Sequence, residues 1–313
     1  MEKRKVILDC DPGHDDAISI IIAASERSTL DIAGITTVAG NVEVGKNTVN
    51  ALKICELLKL DVPVHQGAAG PMVKPSEIAT EIHGSTGMDG PELPEPDKTK
   101  EEQHAVDFII KTVRSSKEKV TLVPTGPLTN IALALIKAPD IKDNIEEIVL
   151  MGGGTFGNWT PAAEFNIYVD AEAAKVVYES GVPLAMFGLD VTHQVIADKE
   201  IQKRLSSPDN EIAVFVSELL EFFGRAYKDH FGIEGGPIHD ACTTMYLLEP
   251  DLFDMKHVNV SIETKGEFTY GMTAVDLLET TGLEPNTMFA RSVDQEKFWD
   301  LFEEILVTYN EDE

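Results

Sequence analysis

The chain has 313 residues, 43% of them hydrophobic and 26% charged, with 54 acidic against 26 basic side chains and a formal net charge of −28. Enough apolar residues are present for a sizeable core, which excludes a disordered chain. The charge excludes a nucleic-acid binder that works through a basic face and disfavours polyphosphate substrates, although part of it, such as Glu311-Asp312-Glu313, is ordinary solubilising surface.

From the N-terminus, charged residues run straight into Val6-Ile7-Leu8, too short an apolar core for a signal peptide, and no later apolar run reaches membrane-span length. Three widely spaced cysteines, Cys10, Cys55 and Cys242, suit reduced packing residues better than a disulfide framework. The expected location is therefore the cytoplasm. No linker-like stretch divides the chain, so one domain over residues 1–313 is expected.

Short β-branched runs at 6–10, 32–38, 120–124, 148–151 and 184–189 read as buried strands. Amphipathic stretches at 15–25, 44–60, 103–115, 128–137 and 171–180 read as helices, the last with Gly181 as its C-cap. Such alternation predicts an α/β fold with an open, mainly parallel, Rossmann-like sheet and helices on both faces. The Pro- and Gly-rich stretch 67–100 exceeds an ordinary connection, as functional loops do. After a helical segment, the runs 258–262 and 272–277 predict a small antiparallel extension.

The sharpest feature is Asp9-Cys10-Asp11-Pro12-Gly13-His14-Asp15-Asp16-Ala17, between the first strand and the first helix. Four carboxylates in eight residues repel one another, and a helix N-terminus compensates with only about half a unit charge. A divalent cation is the natural counter-charge, and oxygen ligands point to calcium or magnesium rather than zinc. One of Asp15 and Asp16 could instead serve as a helix cap, and His14 reads as a local helix-start residue. Other strand ends carry polar clusters too: Gly40-Asn41, the run Thr125-Gly126-Pro127-Leu128-Thr129-Asn130, and Met151-Gly152-Gly153-Gly154 leading to Asn158, Glu164 and Asn166. Open sheets bind ligands there, and carboxylates with amides suit a polyhydroxylated, uncharged ligand. The glycine run lacks the Gly-Lys-Ser/Thr ending of a phosphate loop. His239-Asp240 opens an apolar helix at 241–248 and offers a further ligand.

These landmarks resemble the inosine-uridine preferring nucleoside hydrolase family along nearly the whole chain. The resemblance rests on Asp9-Cys10-Asp11-Pro12-Gly13-His14-Asp15-Asp16-Ala17, Ala39-Gly40-Asn41, His83-Gly84-Ser85-Thr86-Gly87, Pro124 to Asn130, Met151-Gly152-Gly153, Glu164-Phe165-Asn166 and His239-Asp240, with no departure at the core positions. It implies calcium held by Asp11, Asp16, Asp240 and the backbone carbonyl of Thr125, with Asp11 activating the attacking water. Asp15, Asn41, Asn166 and Asp240 would grip the lower ribose hydroxyls, Asn158 and Glu164 the 5′-hydroxyl. His83, Phe165 and His239 would border the base, with Met151 also in the substrate pocket; because histidine is the side chain best suited to give a proton to a departing purine near neutral pH, His239 is the candidate acid. Tyr227 and His230, within 222–231, read either as a lid over the base or as core packing.

The segment 157–166 is most similar to pyrimidine-preferring bacterial members, which puts uridine and cytidine ahead of inosine. The resemblance also implies a homo-oligomer, a tetramer or a dimer. Competing readings are a metal-dependent phosphatase, which an Asp-x-Asp after a first strand also fits but Pro12-Gly13 and Asp15-Asp16 do not, and a non-catalytic nucleoside-binding protein.

Overall fold

A computed structural model describes residues 3–310. The first β-branched run forms β1 (Arg4–Cys10) and turns through Asp11-Pro12-Gly13 into α1 (His14–Ala24). Alternation continues through β2 (Leu30–Thr37), α2 (Val44–Leu57), β3 (Val64–Gln66), α3 (Thr80–His83), α4 (Ala105–Ser115), β4 (Val120–Pro124), α5 (Thr129–Lys137) and β5 (Ile145–Met151). The second half adds α6 (Phe165–Val169), α7 (Ala171–Tyr178), β6 (Leu184–Phe187), α8 (Leu189–Thr192), β7 (Ile196–Ala197), α9 (Lys199–Leu205), α10 (Glu211–Phe231), β8 (Gly236–Pro237) and α11 (Ala241–Leu248). It closes with β9 (Phe253–Val258), β10 (Val260–Ile262), β11 (Thr273–Val275), β12 (Thr287–Val293) and α12 (Gln295–Thr308).

Eight strands form one sheet in the order β3-β2-β1-β4-β5-β6-β12-β9. Every pairing is parallel except that of β9 with β12. Parallel strands need cover on both faces, and the alternation of β1 shows how it is supplied. Val6, Leu8 and Cys10 point into a layer with Ile18, Ile21, Met245, Phe298 and Phe302, whereas Ile7 points into one with Ile109, Ile131 and Val177. The mainly parallel α/β sheet read from the sequence is thus what forms, and β10 pairs antiparallel with β11 as the expected extension. Among the described residues no helix is long and apolar enough to cross a membrane.

The chain begins mid-sheet, winds outward to β3, and crosses back to place β4 on the other side of β1. Loops leaving the carboxyl ends of β1 and β4 diverge there and open a crevice.

Several expected boundaries shift. The strand expected to reach residue 189 stops at Phe187, because Gly188 caps α8. The helix expected to reach 60 ends at Leu57, with Lys59 at a left-handed φ of 51°. Gly181 is also left-handed (φ 81°), but the cap of α7 is Glu179. The run 258–262 is broken at Asn259 into β9 and β10, which belong to different sheets. Strands β3 and β12 were not anticipated; β12 carries the polar Arg291-Ser292 on an incompletely covered strand and lacks a continuous apolar run.

The expectation that Asp9 joins one acidic cluster is also corrected. Alternation along β1 sends it, like Ile7, toward α5, where Asp9 Oδ1 accepts from Thr36 Oγ1 (2.6 Å) and Asn130 Nδ2 (2.8 Å). Burial pushes this carboxyl up to about 7 despite those two bonds. Asn130 also donates to the Thr37 carbonyl (3.0 Å) and accepts from Ala68 N (2.9 Å), so one buried amide ties β1, β2 and the start of the long loop to α5. Asn130→Ala strands these partners and should lower the unfolding free energy by about 2–4 kcal/mol. Urea denaturation of the two proteins checks it, and a loss below about 0.5 kcal/mol would contradict the network's role.

Candidate active site

Two short connections, β1–α1 and β8–α11, deliver the acids. Asp11 follows β1, Asp15 and Asp16 lie in the first turn of α1, and Asp240 stands at the N-cap of α11. Helices α1 and α11 pack together, with Ser19 Oγ 3.3 Å from Thr244 Oγ1. Carboxyl oxygens of Asp15, Asp16 and Asp240 lie within 4.8 Å of one another, and all three side chains are buried. Two helix N-termini therefore meet at one carboxylate trio, each contributing partial positive charge.

Asp11 adjoins the trio. Its Oδ2 accepts from Asn41 N (2.7 Å), while Asn41 Nδ2 donates to the Asp11 carbonyl (3.0 Å) and more weakly to Asp16 Oδ2 (3.4 Å). A β-carbon at Gly40 or Gly126 would overlap the Asp11 carboxylate, so glycine lets both loops close on it. Asp16 Oδ1 accepts from Thr125 Oγ1 (2.8 Å) and its Oδ2 from Gly13 N (3.0 Å). The capping role left open for this pair thus falls to Asp16, alongside its place in the cluster.

Burial first, then mutual repulsion, pushes the Asp11 and Asp240 carboxyls well above the usual carboxylate range and raises Asp15; Asp16 is raised by burial alone. No lysine or arginine lines the crevice among the described residues. A cation bound by oxygen donors would supply the missing counter-charge. The Thr125 carbonyl accepts from Asn166 Nδ2 (2.7 Å) and keeps a second lone pair for such an ion.

Beyond the acids, Asn166 bridges two strand ends, its Nδ2 also lying 3.4 Å from the Met151 carbonyl. Glu164 caps α6: Oε1 accepts from Asn166 N (2.9 Å), Oε2 from Gly153 N (2.8 Å) and Ile167 N (3.2 Å). Burial outweighs those bonds and lifts its carboxyl to about 7. Asn158 Oδ1 accepts from Phe165 N (3.0 Å), holding the polar strap over α6.

The opposite wall is aromatic. Phe223, Tyr227 and Phe231 recur every four residues along one face of α10. Tyr227 is buried and its hydroxyl lies 2.7 Å from His239 Nε2, while His239 Nδ1 lies 2.7 Å from Thr192 Oγ1. Burial drives the His239 pKa well below its ordinary value, so the ring is neutral between two hydroxyls. His230 is exposed and reaches Glu81 Oε2 (3.1 Å) at the mouth. His83 lines the crevice from α3, and His14 turns away from the acids toward the 83–89 loop.

Asp11, Asp15, Asn41, His83, Thr125, Met151, Asn158, Glu164, Phe165, Asn166, Tyr227, His239 and Asp240 all line this one crevice; Asp16 sits behind its floor. Sequence reasoning missed Ala79, Glu81, Ile82, Trp159 and Phe223. The four-residue spacing of Phe223, Tyr227 and Phe231 was the available signal for the wall. Trp159, edge-on to Phe165 (4.9 Å) and bonded through Nε1 to Glu77 (2.9 Å), had none.

Residues 6–300 match the family model of the inosine-uridine preferring nucleoside hydrolases. The chain is 48% identical over 310 residues to the pyrimidine-specific ribonucleoside hydrolase RihA of Shewanella woodyi, covering 98% of this chain and 99% of that one. It is 46% identical over 307 residues to the Escherichia coli protein of the same name, covering 97% and 98%. A purine-preferring ribonucleoside hydrolase from Gardnerella vaginalis superposes with a TM-score of 0.90 at 34% identity, over 98% of this chain and 100% of that one.

A pH dependence follows from the raised carboxyls. A group whose folded pKa lies above its unfolded value contributes stability that is complete below about pH 4 and is lost as pH rises through the folded value, here about 7 for Glu164 and raised well above the ordinary range for Asp11 and Asp240. Chelator-treated protein should therefore weaken between about pH 5 and about pH 8, and a divalent cation should oppose that loss. Thermal unfolding with calcium and with chelator checks this: the gap in Tm should widen at the higher pH, and a gap equal or smaller there contradicts it.

Proposed function

This chain belongs to the inosine-uridine preferring nucleoside hydrolase family, and we propose that it hydrolyses the N-glycosidic bond of ribonucleosides, uridine and cytidine ahead of inosine, with calcium as its cofactor. The observation that carries this reading is a buried carboxylate trio sharing one crevice with Asn41, Asn158, Glu164 and Asn166, a donor and acceptor set matched to a sugar. The pyrimidine preference is supported by the two pyrimidine-specific relatives, which match at 46–48% against 34% for the purine-preferring structure. The absence of lysine and arginine from the lining, among the described residues, favours an uncharged nucleoside over a phosphate ester and so weighs against a phosphatase.

The donor set fits calcium: carboxylates of Asp11, Asp16 and Asp240 with the Thr125 carbonyl would hold it, and all are oxygen ligands. When bound, calcium supplies the counter-charge the acids lack, orders vicinal ribose hydroxyls and lowers the pKa of a water in its shell. Asp11, held by the Asn41 amide, takes the proton from the attacking water. Asp15, Asn41, Asn166 and Asp240 receive the 2′- and 3′-hydroxyls, Asn158 and Glu164 the 5′-hydroxyl. As the bond to the base lengthens, positive charge grows on the ribose ring, and carboxylates in a water-poor crevice stabilise that oxocarbenium-like state. Met151, His83 and Phe165 border the base.

The leaving-group acid is modified by the geometry. Both His239 nitrogens face hydroxyls, so the acid is the ring once it has taken up a second proton: the imidazolium passes its Nε2 proton to the Tyr227 hydroxyl as that hydroxyl donates its own to the departing base, and the ring returns to its neutral form. This makes Tyr227 part of the wall and the relay rather than a lid; a lid role stays with His230.

The whole chain is read as one catalytic domain. Three free, buried cysteines suit a reducing compartment, in keeping with a cytoplasmic enzyme. Exposed Phe268 and Leu278 offer apolar surface for a homo-oligomer, a tetramer or a dimer.

Asp11→Asn should lower turnover at least about a hundredfold at saturating calcium with the fold retained; steady-state rates with circular dichroism check this, and more than about a tenth of wild-type turnover would overturn the role. Release of reducing sugar from uridine, with and without calcium, tests the activity itself. Specificity for uridine over 2′-deoxyuridine should exceed about a hundredfold, because removal of the 2′-hydroxyl leaves buried acceptors unpaired; comparable constants for the two would rule out this sugar grip.

A further inference from the structure

One histidine pair lies outside the chemistry assigned above. His14 Nε2 is 2.8 Å from the Asp89 carbonyl and His14 Nδ1 is 3.3 Å from His83 Nδ1. A carbonyl can only accept, so His14 carries its hydrogen on Nε2. Both rings are buried and neither donates to a carboxylate, conditions that favour neutral imidazoles. A neutral ring has one N–H, which leaves His14 Nδ1 bare. The bond between the two Nδ1 atoms then requires the hydrogen to sit on His83. His83 Nε2, which has no hydrogen-bond partner among the described residues, is left bare on a side chain that lines the crevice.

The arrangement is built to hold. His14 stacks on Phe222 (centroids 5.1 Å apart, 4° between planes) and on Phe223 (5.2 Å, 12°). The Asp89 carboxylate accepts from Ser85 N (3.0 Å) and Thr86 N (3.0 Å) across a turn with Gly84 and Gly87 at φ 80° and 88°, which fixes where its own carbonyl points. Asn50 Nδ2 donates to the Pro12 carbonyl (2.9 Å) and to the Thr86 carbonyl (3.0 Å), anchoring the same turn to the β1–α1 connection.

We propose that His14 is a positioning residue that fixes the proton of His83 on Nδ1, so that His83 meets the substrate through a bare Nε2 and accepts a hydrogen bond from an N–H on the edge of the base. The ribose hydroxyls already face carboxylate acceptors, so the donor left for His83 belongs to the base. In this state His83 cannot deliver a proton, which separates its role from that of the His239–Tyr227 relay. The assignment rests on the nucleoside-hydrolase reading of the crevice, but the tautomer itself does not.

The test begins with the calcium-loaded wild-type protein labelled with imidazole nitrogen-15, the His83 signals being identified by their loss in His83→Gln. Long-range nitrogen–proton correlation should show His83 protonated at Nδ1 only; protonation at Nε2 overturns the proposal without any variant having to fold. His14→Phe keeps the aromatic stack and removes the acceptor, and should shift His83 toward the Nε2–H form. Wild type should favour uridine over 3-methyluridine, which lacks the ring N–H, by at least about tenfold in kcat/KM, the worth of one good hydrogen bond. His14→Phe and His83→Ala should each bring that ratio below about threefold, and the double variant should be no worse than His83→Ala alone. An unchanged ratio in His14→Phe, or additive losses in the double variant, contradicts action through His83. A wild type that hydrolyses neither nucleoside while showing the Nδ1–H form would remove the nucleoside reading and the base contact, and would still support the tautomer assignment.

Discussion

Like charges confined in a low-dielectric crevice repel, and that repulsion governs this molecule. Asp15, Asp16 and Asp240 are buried within 4.8 Å of one another, Asp11 adjoins them, and among the described residues no lysine or arginine lines the crevice to answer their charge. Two helix N-termini offset a fraction of it, and the remainder makes the site a receptor for a cation. The surrounding polar network holds the acids where an ion can use them: Asn41 clamps Asp11, Thr125 and Gly13 hold Asp16, and glycine at 40 and 126 lets both loops close.

The fold supplies that arrangement through topology. Placing β1 between β2 and β4 opens the sheet at the carboxyl ends of its central strands, and packing α1 against α11 joins an acid from residue 240 to acids from the first helix. The crevice is two-sided as a result. Carboxylates and amides form the floor, and the aromatic face of α10 forms the wall, a division that matches a ligand with a polyhydroxylated end and a flat, weakly polar end.

What could be read from the sequence was whatever is local. The strand–Asp-rich turn–helix unit is contiguous, so its place at a strand end and its crowding of carboxylates were legible, as was a parallel sheet from alternating patterns. Strand β12 was not, because Arg291-Ser292 interrupts its apolar pattern and its partner β6 is about a hundred residues away. The direction of Asp9 was recoverable from the alternation of Val6, Ile7 and Leu8, but its proximity to Asp11 in sequence masked it. The histidine pair depends on contacts across 69 and 75 residues, and no spacing rule announces such contacts.

The account stands on the acidic cluster being a cation site, where burial and mutual repulsion raise the affinity of the carboxyls for protons. Calorimetric titration of the chelator-treated protein with calcium, near neutral pH and in two buffers of different ionisation enthalpy, measures this directly. The prediction is one calcium per chain, bound with release of protons to the buffer. Absence of binding, or binding with no proton released, would contradict it.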